Sequence, residues 1–427
     1  MGPLERHGPW LLSDDLATDF RYRCHPEDFV VEELRSNPPE GDGDFWWIRL
    51  RKRSLSTPAA ESALARALDV DEGRVARAGL KDADAVTTQH VTVRDPEQDL
   101  DPNGLEGLDP RIEILEVDRC RRALRPGQSD GNRFELKLRE VGADRARALR
   151  SGLERLEELG APALFGPQRF GQRGDSVAIG SALLKGDLDE FAALACGRPN
   201  EHDAGPVLRA REYFEAGDLV GAANSFPSSY GPSARLAQAL ASNRGRVKNA
   251  LYALKRPDLA LWIGAVQASV FNRIVDRRLP ELGRPLPGDV LRATGGRDRA
   301  IDDVEPWLAA ATRFEVSPTG LLPGPKVPIA RAAAGDVEQA AIRDVGLDLE
   351  SFAGARRFRL TGARRPLRWP LSEVRTSTGS DDRGPYVAVG FDLPPGGFAT
   401  VVLDELSHGR ARPGVGPHQC DGSEVLE

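Results

Sequence analysis

Cysteine is scarce and scattered in this 427-residue chain. Cys24, Cys120, Cys196 and Cys420 form no C-x-x-C pair, and no paired histidine lies near any of them. Neither a zinc site nor a disulfide framework follows from such spacing. The six histidines (His7, His25, His90, His202, His408 and His418) contain no H-E-x-x-H and no H-x-E followed by paired cysteines. Metal and redox chemistry are disfavoured, and a reaction that runs without a cofactor gains weight. Gly-rich phosphate loops are missing too: there is no G-x-x-x-x-G-K-S/T and no G-x-G-x-x-G between a strand and a helix, so ATP and dinucleotide chemistry have no support. Long apolar runs are absent, since Arg, Asp or Glu interrupts each within a few residues. The first twenty residues carry acids where a signal peptide needs an unbroken apolar stretch. No membrane association and a cytoplasmic location are expected.

Uniform charge is also lacking. Lys and Arg total 58 against 65 Asp and Glu, a formal net charge of −7, which does not advertise a nucleic-acid binder. Only seven of the basic residues are Lys. Local charge contradicts the average. Arg119–Arg125 (RCRRALR) holds four Arg and no acid, and Ala355–Arg368 (ARRFRLTGARRPLR) holds six Arg and no acid, whereas acids gather in segments such as Asp95–Asp118. Two such clusters in strand-rich parts of the chain suit the walls of a groove for a phosphate backbone.

With 40% hydrophobic residues the chain can bury a sizeable core, and its length fits two or three domains. Asp28–Leu34 and Asp44–Leu50 read as strands separated by a turn-rich segment, a plausible hairpin. Thr57-Pro58 opens an Ala/Leu-rich helix that ends near Gly73. Gln89–Arg94, Arg111–Val117 and Asn132–Arg139 alternate as strands, and Ala143–Leu159 is an amphipathic helix stopped by Gly160. Residues 161–350 are mostly helical. The best segment is Asp258–Leu279, with Leu261, Ala265, Ala268, Phe271, Val275 and Leu279 on one face. Strands return at Arg356–Leu360 and Tyr386–Phe391, followed by a closing helix Phe398–Ser407. The fold class is therefore α+β, with a mixed or antiparallel sheet because the strand connections lack crossover helices. The expected domains are 1–160, an inserted helical domain 161–350, a closing part 351–407, and a loose tail 408–427.

Gly127–Gly131 (GQSDG) matches the G-x-S-x-G nucleophile elbow but fails its context, because it follows RRALRP and leads into a strand rather than a helix. Lys81 and Asp82, in GLKDADAVTTQ, are more promising. They sit in a loop entered through Gly79 and left by a strand, so Asp82 can project from a rigid edge with a cation beside it. A neighbouring ammonium favours the ionised carboxylate, which suits a nucleophile. On local grounds alone, Lys-Asp in a loop is usually a solvated pair.

The segment Ala78–Gln89 (AGLKDADAVTTQ) resembles the catalytic signature of the TruD family of tRNA pseudouridine synthases, a small residue, Gly, x and Lys-Asp followed by Ala-Val-Thr-x-Gln. His25–Val31 (HPEDFVV) is similar to that family's Pro-x-Asp-Phe-x-Val element, Gly131–Phe134 (GNRF) to its Gly-Asn-x-Phe, and Phe165–Gly171 (FGPQRFG) to its Phe-Gly-x-Gln-Arg-Phe-Gly. Phe271-Asn272 falls in the expected helix, and Leu393–Leu406 (LPPGGFATVVLDEL) resembles the closing Leu-Pro-x-Gly-x-Phe/Tyr-Ala-Thr and Glu-Leu motif. Ala163-Leu164 stands where the family commonly has Asn-Tyr, and Gln267 and Ser269 keep only part of its Gln-Ser.

The resemblance implies a pseudouridine synthase catalytic domain interrupted by a helical TRUD domain. It further implies an isomerase that needs no cofactor, nucleotide or metal, acting as a monomer on tRNA, with uridine 13 of the D-arm as the usual target. Asp82 maps onto the family's nucleophile. Phe29, Asn132 and Phe398 match substrate-contacting positions, Phe134 matches a Phe where other pseudouridine synthases often carry a stacking Tyr, and Arg23 replaces a Lys, keeping a cation near the site beside Lys81. Arg169 is left between RNA contact and a packing role. Two other readings share the scaffold: the same chemistry on another RNA, and a non-catalytic RNA-binding or tRNA-folding factor.

Overall fold

Alternation of apolar and polar residues builds the first unit. The computed structural model describes residues 8–35, 38–98, 100, 101, 105, 107–142, 144–171, 173–353 and 362–414. The chain divides into two compact units, Trp10–Ala161 with Trp369–Glu427, and Met1–Pro9 with Pro162–Arg368. In the first, the strands are β1 (Arg21–Tyr22), β2 (Phe29–Leu34), β3 (Phe45–Arg53), β4 (Val75–Arg77), β5 (Val86–Arg94), β6 (Ile112–Cys120) and β7 (Gly131–Arg139). They are followed by Ser372–Asp381, Gly384–Leu393 and Arg412–Pro413. The main sheet runs Ser372–Asp381, Gly384–Leu393, β7, β2, β5, β3, β6; β1 joins β7 and β4 joins β5. It is mixed: β2 and β5 are parallel at its centre, and the remaining neighbours along the main order are antiparallel.

The hairpin expected from the first two strands does not form. β2 pairs with β5 and β7, and β3 pairs with β5 and β6. β5 is buried along almost its whole length, and a central strand of that kind gains more from two neighbours than a local hairpin gains from one. The helices α1 (Thr57–Ala67) and α2 (Ala146–Leu159) do follow the sequence reading. Ser56 caps the first, accepting from the Ala59 amide, and Gly160 ends the second at φ 83°. Leu149, Leu153 and Leu156, one face of α2, are wholly buried with Val402, Leu403 and Leu406 of the helix Ala399–Ser407.

The second unit is mostly helical, with α3 (Ser176–Lys185), α4 (Leu188–Cys196), α5 (Gly205–Glu215), α6 (Leu219–Ser225), α7 (Gly231–Ser242), α8 (Val247–Leu251) and α9 (Arg256–Arg278). The long α9 is buried nearly all round: Ala265, Ala268, Phe271 and Val275 are inaccessible, as are Ile263 and Val266. Leu261, expected on the buried face, is exposed, while its neighbours Leu259 and Trp262 are buried. An antiparallel sheet of Asp298–Ala300, Val290–Ala293, Val316–Leu322 and Ala363–Pro366 completes this unit. The expected domain boundary at residue 350 therefore moves. Ala363–Pro366 pairs with Val316–Leu322, so the first unit resumes at Trp369; the expected strand Arg356–Leu360 and most of the expected tail lie outside the described residues. Among the described residues no helix is long and apolar enough to cross a membrane.

Candidate active site

The loop between β4 and β5 is held from three sides. Thr57 Oγ1 accepts the Lys81 amide at 3.0 Å and donates to Gln89 Oε1 at 3.0 Å. The fully buried Lys52 donates from Nζ to the carbonyls of Leu55 and Asp82, at 2.6 and 2.8 Å. The Gly127 amide donates to the Ala78 carbonyl at 2.8 Å. A backbone fixed at positions 78, 81 and 82 forces the two consecutive side chains apart, and the cation beside Asp82 is not the expected one. Lys81 turns inward, its Nζ 2.8 Å from Glu33 Oε2, both side chains nearly inaccessible. Asp82 turns outward, 35% exposed, with Oδ1 2.9 Å from Arg23 Nη2.

Arg23 is positioned with equal care. Its backbone lies at φ 55°, a conformation that costs a non-glycine L-residue about 1–2 kcal/mol, and its guanidinium lies over the Phe29 ring with Cζ 3.9 Å from the centroid. Phe29 itself is 1% exposed. Its ring meets Phe134 edge-on at 6.3 Å, and Phe134 in turn contacts Phe391 at 5.5 Å. The stacking face expected of Phe29 is thus occupied by Arg23, and Phe134 lies in the core. Both follow from strand alternation: Phe29 and Val31 on β2 share the inward face with Phe134 and Leu136 on β7.

Behind the loop lies a buried polar cluster. Glu33 Oε1 is 3.1 Å from His90 Nδ1, and the His90 ring stacks on Trp47 at 4.9 Å. Burial raises the Glu33 carboxyl, but the His90 hydrogen bond and the Lys81 charge outweigh it, so the net direction is down. Asn132 sits directly across the ladder from Glu33 and beside Leu393. Its amide oxygen is buried, with no hydrogen-bond partner among the described residues. Phe398, at the N-terminus of the helix Ala399–Ser407, is 44% exposed and does offer a free ring.

Sequence reasoning missed Lys52, Thr57, Glu33 and His90. A signal for Lys52 existed: it occupies the inward position in Ile48, Leu50, Lys52, where alternation calls for an apolar residue. It also missed that the motif residue Asp28 is a buried structural anchor, bridged on both oxygens by Arg139 at 2.6 and 2.7 Å. Ser129 is a turn clip, its hydroxyl bonded to the Gly131 carbonyl at 2.8 Å. Among the described residues no cluster of three His, Cys, Asp or Glu side chains is placed to hold a metal.

The Arg clusters are largely spoken for. Arg119 pairs with Asp95 at 2.7 Å and Arg121 with Asp42 at 2.7 Å. Arg364 is buried against Glu338, and Arg368 packs on the Phe314 ring. Arg364, Arg365 and Arg368 moreover belong to the second unit, not to the catalytic part as expected; Arg356, Arg357 and Arg359 lie outside the described residues.

A fixed, partly exposed carboxylate ion-paired to arginine, on a mixed sheet interrupted by a helical insertion, marks an α+β enzyme scaffold. Comparison with known proteins makes that class specific. Residues 9–406 match the family model for tRNA pseudouridine synthase D (TruD). The protein named tRNA pseudouridine synthase D in Geobacter sulfurreducens is 33% identical over 417 residues, 96% of this chain and 99% of the relative. Its namesake in Syntrophotalea carbinolica is 35% identical over 389 residues, 89% and 94% of the two chains. A crystal structure from Methanosarcina mazei bearing the TruD designation shares the fold, with a TM-score of 0.76, 23% identity, and 96% of each chain covered. The chain belongs to the TruD family of tRNA pseudouridine synthases. Pseudouridine synthases are isomerases.

Proposed function

We propose that this chain converts uridine to pseudouridine in tRNA, at uridine 13 of the D-arm, with Asp82 as the nucleophile and with no cofactor. The reaction breaks the N1–C1′ bond, turns the uracil, and joins C5 to C1′; a proton leaves C5 and one is gained at N1, so no atom or electron is supplied from outside. Asp82 either attacks C1′ or assists departure of the uracil anion. The observation that carries this reading is the Asp82–Arg23 pair at 2.9 Å on a loop pinned through both residues of the Lys-Asp step.

The target base must leave its stack to reach Asp82. Phe398 supplies the exposed ring against which it rests, and the Asn132 amide hydrogen-bonds an edge of the base or fixes the loop that carries Asp82. Phe29 and Phe134 act one layer back, Phe29 holding Arg23 in place and Phe134 holding Phe29. Lys81 serves through Glu33. The first unit is the catalytic domain, the inserted unit adds RNA contacts, and the protein works as a monomer in the cytoplasm.

The test is incubation of the purified protein with unmodified tRNA, without metal or nucleotide, followed by mapping of pseudouridine. Product at position 13 is expected, and Asp82→Asn abolishes it while tRNA binding persists. Full activity in that variant overturns the role of Asp82. Product at other sites only moves the target to another uridine and overturns position 13.

A further inference from the structure

The second unit carries a surface that the chemistry above does not use. Between Asn243 and Pro257 the chain holds Arg244, Arg246, Lys248, Lys255 and Arg256 and no acid, and all five cations are exposed. Elsewhere acids neutralise the arginine clusters, as they do Arg119, Arg121 and Arg364. Here Arg244, Arg246 and Lys248 pair with no carboxylate among the described residues. Asp258, the next acid along the chain, is taken on both oxygens by Arg235 and also accepts the Lys255 amide at 3.1 Å; Lys255 adds its charge to the same carboxylate.

Local structure turns the three free cations outward together with an aromatic ring. α7 ends at Ser242, and Arg244 (φ 53°) and Gly245 (φ 75°) make the turn that follows. The Gly245 amide closes this turn on the Leu240 carbonyl at 2.8 Å, and Leu219 packs 3.3 Å from where a Gly245 Cβ would stand. Arg246 is the N-cap of α8, and its side chain makes no cap bond. Ala250 and Leu254 are buried, and the coil runs on past α8 because the Ala253 and Leu254 amides donate to the Ala250 and Leu251 carbonyls at 3.0 and 3.3 Å. The outer face therefore carries Lys248, Asn249, Tyr252 and Ala253, all exposed. Lys248 and Tyr252, four residues apart, are neighbours on that face. Tyr252 is 83% exposed, and its ring meets no other ring or cation among the described residues.

A bare aromatic face beside unneutralised cations matches what an unpaired nucleotide offers, a flat base next to a phosphate. A lipid surface fits less well: α8 spans five residues, and Tyr252 is the one large side chain with apolar surface on its outer face, far short of the apolar face of an interfacial helix. We infer that the turn and helix over 244–252 form a contact for single-stranded RNA, in which Tyr252 stacks on an unpaired base and Arg244, Arg246 and Lys248 hold the phosphates beside it. This rests on the reading of the chain as a tRNA-modifying enzyme and assigns an RNA contact of the inserted unit to named residues.

The experiment measures tRNA binding across a salt series for Asp82→Asn, which does not turn over, alone and combined with Tyr252→Ala, with Tyr252→Phe, or with Arg246→Gln and Lys248→Gln together. Melting temperatures are read alongside, so that affinities refer to folded protein. Stacking and charge then separate. Tyr252→Ala is expected to weaken binding about tenfold at every salt concentration with the slope unchanged, and Tyr252→Phe to keep the parent's affinity. The charge variant is expected to reduce the slope of log K against log salt by about two. Parent affinity in Tyr252→Ala, or the parent slope in the charge variant, overturns the inference. So does a charge variant that loses binding to phosphatidylglycerol vesicles while its binding of tRNA is unchanged, since the surface then serves a membrane. If Asp82→Asn binds no tRNA and wild type makes no pseudouridine, the proposed function fails. A short oligouridylate then decides the surface by itself: binding that is lost in Tyr252→Ala supports it, and no binding overturns it.

Discussion

Lys52 is the residue on which the site's geometry turns. Buried in the apolar run of β3, it spends its hydrogen bonds on two carbonyls, one of them that of Asp82. Burial pushes its ammonium down to about 8, the Asp82 charge opposing and the Lys81 charge reinforcing. Lys52→Met keeps the stem volume and strands both carbonyls, so the Asp82 loop loses its nearest restraint. We expect turnover to fall about 100-fold, with tRNA affinity changed less than about twofold, because a shift of about 1 Å at a reacting group costs that much. A lowered melting temperature with a smaller fraction of active protein would point instead to general unfolding. The same residue carries a pH signature. Its folded value of about 8 lies below the ordinary 10.5, so between those limits the folded state holds fewer protons than the unfolded one, and the group's contribution to stability rises with pH. Denaturation curves of wild type should therefore gain on those of Lys52→Met from pH 8 to 10; parallel curves would remove the argument.

At the scale of the element, β7 ties the site together. It pairs with β2 on one side and Gly384–Leu393 on the other, placing Asn132 across from Glu33 and beside Leu393. Entry into the strand depends on Gly131, whose backbone is at φ 149° and whose Cα approaches the opposite strand so closely that an added Cβ would lie 2.4 Å from the Leu393 carbonyl oxygen. That is the physical content of the glycine in Gly-Asn-x-Phe. Gly131→Ala should cost about 1–3 kcal/mol of stability through strain and displacement of the paired strand, read as a lower denaturant midpoint. It should also lower activity at temperatures where the fold is intact, since Asn132 pairs with the displaced strand at Leu393. An unaltered midpoint would show that the ladder absorbs the extra atom.

For the whole molecule, charge is decided by neighbours rather than by totals. Many of the acids that give the chain its net charge of −7 are partners of its arginines. Asp95 holds Arg119, Asp42 holds Arg121, Asp109 holds Arg111, and Asp392 holds Arg133 on both oxygens at 2.9 Å. Guanidiniums held in this way are not free for phosphates. Binding of tRNA should weaken with salt at a slope of magnitude about 3, well short of the roughly 6–10 contacts of strongly basic nucleic-acid binders. A filter-binding series from low to moderate salt measures it, and a slope above about 7 would mean that the internal ion pairs open to engage RNA.

The sequence by itself determined what is local. Period-2 alternation marked β2, β5 and β7, a helical period marked α2, and Gly160 its end, because these depend only on residues a few positions apart. It also singled out the Lys-Asp loop, whose residue order no distant contact can alter. Only the tertiary structure decided which groups meet. Lys81 and Asp82 are neighbours in sequence, yet one pairs with Glu33 and the other with Arg23. Phe29 reads as a stacking ring until Arg23 is found on it. The Arg-rich segment ending at Arg368 reads as free positive charge until Glu338 and Phe314 are found beside it. Strand order and much of the charge pairing are settled by partners as far as 259 residues away, and an ionic or stacking contact acts over a few ångströms, whatever the separation along the chain.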